Sequence, residues 1–156
     1  MEKVPAPWLE GQIQMLLSAT TKDELYDGLA KASKLLGFDY FAYGIRIPVS
    51  ISTPKIELLN NYPSEWQALY DSNKYLHVDP TVHHGLRTIA PVIWEEKLFS
   101  SARALWEDAK SFGLSHGWAQ SSFSSSGVSG MLTLARSNDA ISENELLYRT
   151  PHLIWF

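Results

Sequence analysis

Tyr62, Trp66 and Tyr70 recur every four residues, a spacing that lines three aromatic side chains with hydrogen-bonding heads along one side of a helix. Asp79-Pro80 and Trp94 follow. An indole N–H can only donate, an ionised carboxylate can only accept, and a phenol can give its hydrogen to an acceptor, so these residues have the means to hold a polar molecule by directed bonds. Each also has a plainer reading. Asp79 before Pro80 is by local rules a helix N-cap, and aromatics at i, i+4 and i+8 ordinarily form a core stripe. Bond-breaking chemistry has less to stand on. His116 lies near Ser121 and Ser122, but Gly127-Val128-Ser129-Gly130 has the wrong spacing for a Gly-x-Ser-x-Gly nucleophile elbow. His83 and His84 are adjacent, and neighbours on a helix point about 100° apart, so they do not form a shared pair of metal ligands as an i, i+4 pair can.

The elements that must position these residues can be traced along the chain. Leu9, Ile13, Leu16 and Leu17 predict a first helix. Thr21 and Glu24 are spaced as a capping box, ahead of a second helix whose stripe is Leu25, Leu29, Ala32 and Leu36 and which Gly37 ends. From Phe38 the period becomes two: Phe41, Tyr43, Ile45 and Ile47 on one face, Tyr40, Ala42 and Gly44 on the other. Pro48 to Pro54 reads as a loop and Ile56 to Asn60 as a short strand. Pro63 suits the first turn of a helix reaching about Ser72. Asp79-Pro80 opens another, with Val82, Leu86 and Ile89 as its apolar stripe. Pro91 to Trp94 is a short strand, and Leu98, Ala102, Leu105, Ala109 and Phe112 mark a longer helix ending at Gly113. Strands at about Gly117 to Phe123 and Ser129 to Arg136 flank the hairpin turn Ser124 to Gly127. Ser142 and Glu145 cap a last helix, which Pro151 kinks or ends. The order predicts an α/β (α+β) architecture: a mainly antiparallel sheet of about five strands with helices on both faces, an α-β-α sandwich.

Composition narrows the function classes. The 156 residues, 45% hydrophobic and 19% charged, suit one domain, 1–156, with a core large enough to enclose a ligand. Thirteen basic against seventeen acidic residues give a net charge of −4, the wrong sign for neutralising phosphates. There is no cysteine, which excludes disulfides and thiolate metal sites. No charged-then-apolar leader opens the chain and no run of about 18 apolar residues occurs, so a soluble, cytoplasmic protein without membrane contact is expected.

Tyr62-Pro63, Trp66, Tyr70, Asp79-Pro80, Trp94 and Gly117 stand in the order and spacing of the LuxR-type autoinducer-binding family, which this sequence resembles. The flanking Leu36-Gly37-Phe38-Asp39-Tyr40 and Gly130-Met131-Leu132-Thr133-Leu134 resemble the family too, so the likeness runs over nearly the whole chain. It implies a sensing domain that encloses an N-acyl-homoserine lactone between sheet and helices, needs no cofactor, is no enzyme and forms homodimers. DNA contact is implied only through a C-terminal helix-turn-helix domain of a longer parent, since the chain stops at Phe156 before any such segment. On this resemblance Trp66 donates to the lactone carbonyl, Asp79 accepts from the amide N–H, and Tyr62 and Thr133 donate to the amide carbonyl. Tyr70 and Trp94 are aromatic walls, and Met131, Ala42, Gly44 and Ala119 line the acyl channel. Asp79 and the aromatic wall are expected to be poorly satisfied without ligand, so that binding completes the core. A hydrolase acting on such lactones and a ligand-independent dimerisation module are the competing readings.

Overall fold

The structure is a computed structural model that describes residues 18–48, 55–125 and 127–142. The helices expected around Leu9 to Leu17 and beyond Ser142 lie outside the described residues.

Helix α1 (Lys22–Leu35) begins where the capping pattern requires: the Thr21 hydroxyl accepts from the Glu24 N–H at 3.1 Å. The return bond reaches one residue further than the simple box, because the Glu24 carboxylate accepts from the Thr20 N–H at 2.7 Å. Gly37, at φ +88°, ends the helix in the left-handed region that glycine adopts without a Cβ clash.

The sheet strands are β1 (Tyr40–Ile47), β2 (Lys55–Asn60), β3 (Val92–Ile93), β4 (His116–Phe123) and β5 (Ser129–Arg136). Every pairing is antiparallel, in the order β2-β1-β5-β4-β3. Helices α2 (Ser64–Ser72), α3 (Pro80–Arg87) and α4 (Arg103–Ser111), with one 3-10 turn at Tyr75–His77, complete the described elements.

Strand alternation divides the interior in two. Phe41, Trp118, Leu132 and Leu134 point to one face and pack with Leu29 of α1 and with Leu36 at its C-cap. The opposite face presents Ala42, Gly44, Ala119, Met131 and Thr133, brought side by side by the pairings Ala42↔Thr133↔Ala119 and Gly44↔Met131. Near its other end this face meets an aromatic cluster in which Trp66, Tyr75, Phe99 and Trp106 surround Leu105, Ala109 and Ala135. Burying each large apolar side chain contributes roughly 1.5–3 kcal/mol, so both clusters hold the sheet between its helical layers.

Three local expectations are corrected. Pro63 occupies the N-cap of α2, so Tyr62 precedes the helix that carries Trp66 and Tyr70. On α3 the buried residues are Thr81 and Gly85, whereas Leu86 is 47% and nearby Ile89 59% exposed. The cause is close packing: a Cβ on Gly85 would lie 2.8 Å from the Met131 sulfur, so the helix sets its small residues against the sheet and leaves Leu86 beside that contact rather than in it. Leu98 lies before α4, and the neighbouring Phe99 is the buried residue there, 4% exposed and stacked on Trp106 at 4.7 Å.

Candidate functional site

A cavity of about 660 Å³ lies between the small-residue face of the sheet and the α2–α3 segment. Ala42, Gly44, Met131 and Thr133 form its sheet side. Tyr62, Trp66, Tyr70, Asp79 and Trp94 line it from the helical side. Nine of the ten residues singled out in the sequence therefore meet here. Ala119 does not line the cavity. It sits on the correct face beside Thr133, but it is only 1% exposed, boxed in between Thr133 and Val92, where the Trp94 ring lies over neighbouring Gly117.

Asp79 is the most heavily bonded residue of the site. Its Oδ1 accepts from the Thr81 backbone N–H at 2.9 Å and from the Thr81 hydroxyl at 2.7 Å, so it does cap α3. Its Oδ2 accepts from the Tyr70 hydroxyl at 2.7 Å. The expectation that Asp79 is poorly satisfied without a ligand is thus corrected: capping uses one oxygen and Tyr70 the other. A carboxylate oxygen has two lone pairs, which leaves Oδ2 able to take a further donor.

The phenols of Tyr62 and Tyr70 are held neutral far above their ordinary range. Burial is the main cause for both, followed by the Asp79 charge, which the hydrogen bond reinforces for Tyr70. Both are consequently donors at any physiological pH. Among the described residues, neither the Tyr62 hydroxyl, the Trp66 indole nor the Thr133 hydroxyl makes a hydrogen bond to the protein. The Trp94 indole N–H is fully buried and likewise without a partner. An unmade bond at a buried donor costs about 1–3 kcal/mol, a cost that falls on the enclosed Trp94 indole, while the other three donors belong to residues lining the cavity, where an acceptor can meet them.

Packing fixes the aromatic side of the site. Trp66 meets Tyr70 edge-on at 5.8 Å and Phe112 at 5.7 Å, while Tyr62 leans on Tyr40 at 6.2 Å. Trp94 meets Phe99 edge-on at 6.0 Å and lies so close to Gly117 that a Cβ there would fall 2.3 Å from the ring. That contact accounts for glycine at this position. The sequence reading missed Thr81 and the bonding part of Tyr70. Thr81 carried a signal, a hydroxyl residue two after an Asp cap, but the Tyr70 bond joins two separate helical elements. It also missed the apolar residues of the cavity's outer part, Ile56, Leu58, Leu76 and Leu86, all exposed by 42–61%. Among the described residues no group of three or more His, Asp or Glu is placed to hold a metal ion, and no helix is long and apolar enough to cross a membrane.

An α-β-α sandwich with a donor-lined, largely apolar cavity beside one carboxylate is built as a domain that encloses a small amphiphilic molecule. The sequence matches the autoinducer binding domain family over residues 21–156, and the chain belongs to that family of LuxR-type quorum-sensing regulators. It is 41% identical over 150 residues to the transcriptional activator protein AnoR of Acinetobacter nosocomialis, covering 95% of this chain and 63% of AnoR. The fold matches the N-acylhomoserine lactone dependent LuxR-family factor CepR2 of Burkholderia cenocepacia with a TM-score of 0.85 and 26% identity, over 96% of this chain and 88% of that one. SdiA in complex with octanoyl-rac-glycerol matches with a TM-score of 0.79 and 26% identity, over 95% of this chain and 62% of SdiA. The chain spans less than two thirds of the length of the curated relatives it matches. Those relatives are transcriptional regulators, not enzymes, and the hydrolase reading is set aside.

Proposed function

We propose that the cavity binds an N-acyl-homoserine lactone and that its occupancy controls a DNA-binding domain of a longer, cytoplasmic, homodimeric regulator. The observation that carries this reading is the set of unpartnered donors at Tyr62, Trp66 and Thr133 lining the same cavity as Asp79. Such a ligand offers two carbonyls and one amide N–H at one end and an apolar chain at the other. Trp66 donates to the lactone carbonyl, Tyr62 and Thr133 to the amide carbonyl, and Asp79 Oδ2 takes the amide N–H alongside Tyr70. Ala42, Gly44 and Met131 give the chain an apolar floor. Because each donor meets an acceptor of the ligand, filling the cavity leaves none of them buried and unpaired.

Thermal melting with lactones of increasing acyl length tests the proposal. A ligand at one hundred times its Kd adds about 2.7 kcal/mol, which for a domain of this size raises the melting temperature by about 5–10 °C. Octanoyl-rac-glycerol is the control, an amphiphile without the lactone and amide. A larger shift with lactones than with the glycerol ester supports the reading, and no shift with any lactone contradicts it.

A further inference from the structure

Tyr75 does not line the cavity, yet it touches three of the residues that do. Its ring packs against Trp66 at 6.3 Å and edge-on against Tyr70 at 5.9 Å. Its backbone carbonyl accepts from the Asp79 N–H at 2.8 Å. Its hydroxyl donates to Asp108 of α4, a helix whose Leu105, Trp106 and Ala109 are buried in the aromatic cluster. The residue before it, Lys74, sits at φ +53°, a left-handed conformation that a lysine adopts only where the surroundings hold it. The turn thus brings Tyr75 against both site aromatics, which also touch each other, and the bond to Asp108 ties its hydroxyl to α4.

We infer that Tyr75, anchored by Asp108, is a positioning residue that sets the orientation of Trp66 and Tyr70 and the backbone of Asp79 for ligand recognition. This rests on the reading that the cavity binds acyl-homoserine lactones. Side chains that must meet a ligand within a few tenths of an ångström need neighbours that lock their rotamers, and Tyr75 is the neighbour the Trp66 and Tyr70 rings share. Because it acts at the polar end, its influence is independent of acyl length.

Tyr75→Phe keeps the ring and the backbone carbonyl and removes only the hydroxyl, Asp108→Leu removes the acceptor, and Asp108→Asn keeps one. Titration with N-octanoyl- and N-dodecanoyl-homoserine lactone is expected to show a loss of about five- to tenfold for Tyr75→Phe and Asp108→Leu, by the same factor for both ligands, with Asp108→Asn largely restoring affinity. In parallel, fluorine NMR of the chain labelled with 5-fluorotryptophan follows Trp66, whose resonance is the one lost in Trp66→Phe. That resonance is expected to move in Tyr75→Phe and Asp108→Leu without ligand. A lowered melting temperature with unchanged affinity and an unmoved Trp66 resonance would make Tyr75 ordinary packing and overturn the inference. If the resonance moves but the wild-type chain binds neither lactone, the ligand assignment falls and the anchoring of Trp66 by Tyr75 stands.

Discussion

The two faces of the sheet are built from alternate residues of the same strands and are used in opposite ways. On β5, Leu132 and Leu134 enter a closed cluster with Trp118 and Phe41, none more than 5% exposed, while Met131 and Thr133 open onto the cavity. The α1 face holds large side chains and satisfies itself. The α2–α3 face holds small residues and hydrogen-bond donors, and leaves several of those donors without a protein partner. The difference shows how a small domain separates stability from recognition: period-two alternation assigns one task to each side, so changes on one side need not disturb the other.

That separation can be broken at chosen points. Trp118→Ala, in the closed face, is expected to cost about 3–5 kcal/mol in denaturant unfolding, with little change in ligand affinity for the fraction that folds. Gly117→Ala, on the cavity side, links stability to recognition within one face, because its methyl would meet the rigid Trp94 ring at 2.3–2.7 Å. It is expected to cost about 1–3 kcal/mol and to abolish lactone binding in a calorimetric titration, since Trp94 must leave the cavity wall. Thr133→Val keeps the shape of the cavity floor and removes one donor. Its expected effect is an affinity loss of about tenfold with a melting temperature close to wild type.

The smallest effect concerns pH. Tyr62 and Tyr70 titrate higher in the folded chain than the ordinary value of 10.0. Their contribution to stability is therefore complete below pH 10 and is lost as pH rises, because the unfolded chain releases these protons first. Between pH 10 and 11 each phenol should remove about 1 kcal/mol, and Tyr70→Phe should flatten that limb of a denaturation series.

How much of this was legible in the sequence follows the same division. The closed face could be read, since Phe41 and Tyr43 alternate with Tyr40 and Ala42 in a pattern that only a strand explains. Asp79-Pro80 was likewise readable as a cap, because capping is local. The inward side of α3 was not. Amphipathic reading assumes the aliphatic stripe faces the core, but Gly85 brings the helix so near Met131 that only small residues fit, and Leu86 falls to the open part of the cavity. The Tyr70–Asp79 bond and the Tyr75–Asp108 anchor join residues of separate elements, and no periodicity records them. The cavity depends on how far apart sheet and helices are held, which spacing along a strand cannot reveal.

The central claim is that the donor-lined face, and not the closed one, takes up an acyl-homoserine lactone. Mass spectrometry of the organic extract from chain purified after expression with a mixture of lactones tests it most directly. The account predicts close to one lactone per chain from the wild type and from Phe41→Leu on the closed face, and a strongly reduced yield from Trp66→Phe. Extracts free of lactone from the wild type, or equal yields from Trp66→Phe and the wild type, would contradict it.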